Sequence, residues 1–460
     1  MFLHAVRSGA RSLLRSCDVA ETNQRKEELK VECMRLRSSL FLIIALFVTV
    51  DLHAQNVVTE WNTIASTMIV ENGGKPSHAS GVFFAYTSIA VYDAVNSIHR
   101  QFQPIYYKGN APNGASDEAA AVAAAHRILV RYFPAQQPAL DAKFSYALEK
   151  IRADSDAKTA GTAAGEAAAD ALIAARANDG LEANVAYTPG TGLGVWQPTR
   201  PKFLPALTPW LGQMRPFTMT GAAQFLPDGP TPLTSNEWTD EYDQVRTLGE
   251  INSAARTRKQ TEIGLFWTEH TGQQYARAFG YLAENYKLDV MASARLMAIL
   301  WTGYADSVIG CFNAKYHYSF WRPETAILAG AGNSKMASDA NWNPLATTPN
   351  HPEYPAAHGC ITGTVSSLIE NYFGTSKVHI VVDSLVFDDG IHKHIFEDTH
   401  DLFDEVFWAR IYAGLHYHHS LEDGGSLGKR ISEQLLRKYF RPQNKTGGDI
   451  SHRDDKSTRP

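Results

Sequence analysis

Lys315-Tyr316-His317-Tyr318-Ser319-Phe320-Trp321-Arg322-Pro323 is the stretch from which the rest of the chain can be read. Lys315 and Arg322 stand close to two helical turns apart, so a helix through Lys315 turns both cations to one side. Pro323 disfavours helical geometry at the residue before it. The helix is therefore expected to stop there, leaving Arg322 at its end and free to reach an anion, with Phe320 and Trp321 as walls. The plainer reading is a solvated Lys–Arg pair.

Two later segments supply matching chemistry. Pro355-Ala356-Ala357-His358-Gly359 opens the apolar run Cys360 to Phe373. A helix N-terminus carries unpaired N–H groups and the positive end of the dipole. The backbones of Ala357 and Gly359 are thus candidate oxyanion donors, Ala356 a candidate wall and His358 a candidate acid–base group. A histidine that merely ends a helix is the competing reading. Arg410-Ile411-Tyr412-Ala413-Gly414-Leu415-His416 is expected on one helix spanning 398–419. There Gly414 would clear space one turn from Arg410, and His416 would lie about 120° around the axis. His418 and His419 raise a zinc alternative, but the His-x-His-His spacing is not the i,i+4 pattern of helical zinc sites. One Lys, two Arg and two His suit a tetrahedral oxyanion: forked and point-charge donors for its oxygens, one imidazole to bond the central atom and one to move protons.

In this order and spacing the segments resemble the superfamily that joins vanadium-dependent haloperoxidases and type 2 phosphatidic acid phosphatases, bacterial class A acid phosphatases included. Its signature reads Lys, six residues, Arg-Pro; Pro-Ser-Gly-His; and Ser-Arg, five residues, His. The resemblance implies that Lys315, Arg322 and Arg410 hold the oxyanion and that His358 is the acid–base group. It implies that His416 is the vanadate ligand, or the phosphorylated residue of a phosphatase. Ala356 and Ala357 replace the Ser and Gly of the second motif, and Ala409 replaces the Ser of the third. Ser420 stands where the family often has an Asp that orients the His, and Asp423 is a candidate substitute. Trp61-Asn62, Tyr92 to Asn96 and Trp196 to Phe217 look like the long N-terminal half of the haloperoxidase branch. The implied protein is all-α, two packed helical bundles, with vanadate as cofactor and hydrogen peroxide and halide as substrates. An acid phosphatase acting on a phosphate monoester, or an inactive anion-binding homologue, are the alternatives.

The 460 residues carry a formal charge of -5 and 44% hydrophobic side chains, enough for a sizeable core and without the basic excess of a nucleic-acid binder. A homo-oligomer is compatible with this composition. Residues 34–54 read as a secretory signal: a basic start at Met34 to Arg37, an apolar run Leu40 to Val50, and cleavage after Ala54. A secreted or periplasmic protein with its true start at Met34 is expected, residues 1–33 being an upstream extension. The competing reading is a membrane anchor, although the run is short for a span, and no stable span is expected after processing. Export would permit a disulfide between Cys311 and Cys360, but two buried free thiols are the plainer expectation. Residues 55–233 form the first helical half. Within it, an Ala-rich region from Asp117 to Ala177 should break at Pro134, and 186–233 make an ordered, irregular Pro/Gly/Trp-rich connection. Residues 234–440 form the half carrying the motifs, with a long loop over 330–355. The polar tail 441–460 is expected to be disordered, and no strand series is visible.

Overall fold

A computed structural model describes residues 56–330, 336 and 338–443. The expected signal segment and upstream extension, and nearly all of the tail, lie outside the described residues. Among those described, thirteen α-helices dominate and a single two-stranded sheet interrupts them.

The first bundle contains α1 (Val57–Ser66), α2 (Ser77–His99), α3 (Asp117–Tyr132), α4 (Gln137–Lys150) and α5 (Ser155–Arg176). Pro134 breaks the Ala-rich region as expected, opening a single 3-10 turn, Pro134–Gln136. The alanines serve close packing. A Cβ on Gly161 would come within 2.2 Å of the Ser116 carbonyl, and one on Gly165 within 2.4 Å of that of Ala120. Only small residues let α3 and α5 approach so closely.

The irregular segment after α5 is held by directed bonds rather than by regular structure. Buried Asp306 accepts from the N–H groups of Phe217 (2.6 Å) and Thr218 (2.8 Å). Trp196 N–H donates to the Ser319 carbonyl (2.7 Å) and Trp321 N–H to that of Gly194 (3.0 Å). The chain thereby wraps the end of the long helix that carries Lys315.

The second bundle follows α6 (Asn236–Gly249), α7 (Arg258–Phe266) and α8 (Thr271–Asn285). It is built on α9 (Val290–Tyr318), α10 (Pro323–Ala329), α11 (Ala357–Phe373), α12 (Thr399–Tyr412) and α13 (His418–Lys438). Asp289 caps α9 through the Ala292 N–H (2.7 Å). Helix α9 also packs on α2, where a Cβ on Gly81 would meet the Tyr304 ring at 2.1 Å. One continuous apolar core therefore runs through both bundles.

Between α11 and α12 an antiparallel hairpin, β1 (Ile380–Ser384) and β2 (His392–Phe396), pairs Val382 with His394. This hairpin was not expected, because only five residues on each side are extended. The expected helix over 398–419 is in fact two. Helix α12 ends at Tyr412, Gly414 takes φ 76°, and α13 begins at His418. Gly414 is needed at that turn and not beside the Arg410 guanidinium, since a Cβ there would lie 2.6 Å from the Gly249 carbonyl. Among the described residues, no helix is long and apolar enough to cross a membrane.

Candidate anion-binding active site

Lys315 lies in the last turn of α9. The helix stops at Tyr318, with Ser319 left-handed, and Arg322 becomes the N-cap residue of α10. The break thus falls earlier than Pro323 alone suggested. Arg322, the start of α11 and the turn after α12 then converge. Arg322 is fully buried, and its Nη1 donates to the Leu415 carbonyl (2.9 Å) and lies 3.1 Å from His416 Nε2. Its Nε donates to the His351 carbonyl (3.0 Å), and its Nη2 lies 3.1 Å from His351 Nδ1.

A guanidinium only donates, so His416 Nε2 is the acceptor and the proton of a neutral ring sits on Nδ1. That proton points to Glu353 Oε1 at 2.7 Å, both side chains being buried. The same oxygen also takes the Tyr417 N–H (3.2 Å). Glu353, not Ser420 or Asp423, therefore orients His416. Asp423 pairs instead with His419 (3.1 Å) and with the Tyr354 hydroxyl. Burial raises the Glu353 carboxyl to about 7, against the lowering pull of Lys315 and Arg322.

Lys315 is engaged differently from its expected role. Its ammonium donates to the carbonyls of Pro352 (3.0 Å), Glu353 (2.7 Å) and Pro355 (2.6 Å). All three protons are thereby committed to the loop that presents Glu353, and the charge acts on the site from behind it. Burial lowers the ammonium to about 8.

Arg410, His416, His358 and Ala357 line one cavity of about 540 Å³. Helix α11 begins there with no side-chain cap, so its first N–H groups are available to a ligand. Arg410 is 3% exposed, and its Nη1 donates to the Trp267 carbonyl (2.8 Å). Its Nε is buried and has no partner among the described residues. Burial, reinforced by Arg322, depresses it to about 9. His358 lies 3.2 Å from the Thr271 hydroxyl. Burial first, then Arg410, Lys315 and Arg322, hold its pKa well below the usual imidazole range. His416 is depressed likewise by burial, then by Arg322, Lys315 and Arg410. Two neutral imidazoles thus face a pocket lined by the buried Arg410, with the buried Lys315 and Arg322 acting on them from outside its walls. Among the described residues, no ion pair joins any of those cations to a carboxylate.

Two expected walls stand elsewhere. Trp321 is not a pocket wall; it lies in a separate apolar cluster and stacks on Trp238 at 6.3 Å. Ala356 packs with Phe407, Ile411 and Leu421 and does not line the cavity. Gly359 also lets α11 approach α13, where a Cβ would lie 2.9 Å from the Leu421 carbonyl, while its N–H belongs to the uncapped first turn of α11. The walls are instead Trp267, Thr271, His78 and His351 with several aliphatic side chains. Cys311 and Cys360 are free and buried. His418 and His419 pair with Glu422 (3.5 Å) and Asp423 and take no part in the pocket. Sequence reasoning missed Glu353 and His351. The available signal was a carboxylate and an imidazole in the short run between Asn350 and Pro355, just ahead of the second motif.

Residues 295–445, which contain all three motifs, match the family model of the VCPO second helical-bundle domain. The fold is similar to that of a bacterial vanadium-dependent iodoperoxidase, with a TM-score of 0.72 at 21% identity, covering 85% of this chain and 98% of that one. It is similar also to a bacterial vanadium-dependent chloroperoxidase. The apo form gives a TM-score of 0.64 at 16% identity over 78% of this chain and 93% of that one. The holo form gives 0.64 at 15% identity over 80% and 92%. No curated protein matches the chain in sequence.

Proposed function

We propose that this chain, a member of the vanadium-dependent haloperoxidase superfamily by its fold and its second bundle domain, holds vanadate at His416 and oxidises halide with hydrogen peroxide. The observation that carries the proposal is Arg410 Nε: a buried, charged donor with no partner, on a cavity shared with two neutral histidines. Such a donor is costly to bury unless an anion completes it. The donor set fits a tetrahedral oxyanion, with guanidinium, helix N–H and imidazole groups all on the walls of one cavity.

His416 supplies the ligand nitrogen. Glu353 fixes the Nδ1–H tautomer, which aims the Nε2 lone pair inward and raises its basicity, as a carboxylate does for a metal-bound histidine. Binding through Nε2 requires Arg322 to exchange that nitrogen for an anionic oxygen, a change of partner and not of position. Arg410 and the first N–H groups of α11 neutralise the remaining oxygens. Lys315 keeps the Pro352–Pro355 loop, and with it Glu353, in place while adding positive potential. Bound vanadate would supply the activation of peroxide toward halide. His358, neutral and held by Thr271, is placed to accept a proton as peroxide enters and to return it as water leaves. Secretion into an oxidising compartment remains part of this proposal, on the strength of residues 34–54.

The test is a paired assay on purified protein: triiodide formation from iodide and peroxide with and without added vanadate, and hydrolysis of a phosphate monoester. Vanadate-dependent triiodide formation that disappears in His416→Ala is expected. Hydrolysis alone would assign the pocket to phosphoryl transfer through a phosphohistidine, and turnover of neither would leave an anion-binding homologue.

A further inference from the structure

Helix α6 carries two carboxylates on one face, away from the anion pocket. Glu237 and Glu241 are four residues apart, so they stand one turn above the other, and like charges so placed repel. Glu241 is only 7% exposed, and among the described residues no Lys, Arg or His forms an ion pair with either carboxylate. Its Oε1 accepts the His419 N–H (2.9 Å) and its Oε2 the Thr231 hydroxyl (3.2 Å). Burial above all pushes the Glu241 carboxyl up to about 7, against the lowering effect of those bonds. A buried carboxylate is ordinarily paired with a cation or bound to a metal.

His419, in the first turn of α13, completes the group. One ligand atom from each of Glu237, Glu241 and His419 lies within 4.8 Å of the other two. Asp423, one turn along α13, takes His419 Nε2 at 3.1 Å and is itself held by the Tyr354 hydroxyl. His419 Nδ1 has no partner among the described residues. A carboxylate behind one imidazole nitrogen, with the other nitrogen free, is the arrangement that orients a metal-bound histidine. The imidazole tells against calcium and magnesium, which take oxygen ligands. Two carboxylates and one imidazole match the three protein ligands and open fourth position of a zinc site. Tetrahedral ligands at about 2.1 Å from zinc stand about 3.4 Å apart, so rotation of the exposed Glu237 side chain closes the set. None of these side chains lines the cavity of His358 and His416.

We propose that Glu237, Glu241 and His419 bind a divalent transition ion of the zinc class, with Asp423 positioning the imidazole and water completing the coordination beside the exposed Glu237. The site is separate from the anion pocket and does not depend on its chemistry. The ion cancels the repulsion between the two carboxylates of α6 and displaces the proton that Asp423, Glu241 and Glu237 hold on His419. It also ties α6 to the start of α13, a helix with no side-chain cap that follows directly on the turn carrying His416.

The experiment titrates zinc into the full protein after dialysis against a chelator, with a chromophoric zinc indicator as competitor, and repeats the titration in excess calcium and magnesium. One zinc per chain that neither of those ions displaces is the expected result. Removing the partner behind a metal ligand typically costs about 10–100-fold in affinity, and removing a ligand costs no less. Glu237 is exposed, so Glu237→Gln tests the site without endangering the fold, and it should weaken this zinc by at least about tenfold. Glu241→Gln should do the same, and Asp423→Asn, which leaves all three ligands in place, should weaken it by about tenfold. His416→Ala, which removes a histidine of the anion pocket, should leave this zinc in place. Zinc should also raise the Tm of the unmodified protein and not that of Glu237→Gln. Binding of equal strength in the unmodified protein, Glu237→Gln and Glu241→Gln would overturn the inference, because the ion would then sit elsewhere. Displacement by calcium, or no saturable binding, would overturn it as well. Each of these results leaves the haloperoxidase reading to be decided separately by triiodide formation.

Discussion

Arg322 and Arg410 are both buried in the same cluster, yet the protein uses them in opposite ways. Arg322 meets His351, Leu415 and His416 through four contacts between 2.9 and 3.1 Å. Arg410 has one carbonyl, that of Trp267, and an unpaired Nε. The first is part of the frame that holds the ligand histidine; the second is an unfinished donor awaiting an anion. A cation that is fully bonded inside the fold contributes to stability when the protein is empty. One that is not bonded lowers stability until its ligand arrives.

The largest effect that would break this contrast is on stability. Arg322→Met strips donors from two buried carbonyls and from His416 Nε2, and should destabilise the fold by about 3–5 kcal/mol in urea unfolding. Arg410→Met removes a desolvated charge, and should leave stability unchanged or raise it by ~1 kcal/mol. Equal losses for the two would erase the distinction. On ligand binding the second variant should be the costly one. Arg410→Met is expected to weaken phosphate or vanadate by about tenfold to a hundredfold, as loss of a hydrogen bond to a charged group requires, measured by calorimetric titration.

A smaller effect sharpens the account of the frame. Glu353→Ala should lower vanadate affinity about tenfold, within the range seen when the carboxylate behind a ligating histidine is removed. Glu353→Gln keeps an acceptor for Nδ1–H and should lose less. Equal losses would show that the charge, and not the orientation of the ring, is what matters.

The smallest effect is on pH dependence. His78 has its pKa depressed from 6.5 to about 3 by burial, by Lys315 and by His270. A histidine depressed in the folded state contributes stability that is present above pH 6.5. That stability is lost as pH falls from 6.5 toward 3, because the unfolded chain takes up a proton that the folded chain refuses. His78→Phe, which preserves the stack on Phe312, should therefore show a smaller drop in Tm between pH 7 and pH 5 than the unmodified protein. An unchanged drop would remove His78 from the acid-sensitive set.

Much of this architecture was legible because helical periodicity and breaker residues are local signals. Pro134 divided the Ala-rich region, and the motif order brought His358 and His416 to one pocket with Arg322 against His416. What escaped was decided by long-range partners. Lys315 looked like an anion donor on spacing alone, but the carbonyls of Pro352, Glu353 and Pro355 take its protons once the loop folds over it. Glu353 was invisible as the partner of His416 because they are far apart in sequence and meet only when two turns converge. Trp321 and Ala356 sit within the right motifs but pack into neighbouring apolar clusters, and sequence spacing cannot tell such faces apart. The break at Gly414 was readable in principle from glycine chemistry, yet the helical pattern on both sides of it concealed the turn.

The most direct measurement is the titration of vanadate into the unmodified protein, His416→Ala and Arg410→Met, followed by vanadium NMR with phosphate as competitor. One saturable site, displaced by phosphate and weakened at least about tenfold in both variants, is the predicted result. Binding of equal strength in all three proteins would contradict the assignment of His416 and Arg410 to a common anion site.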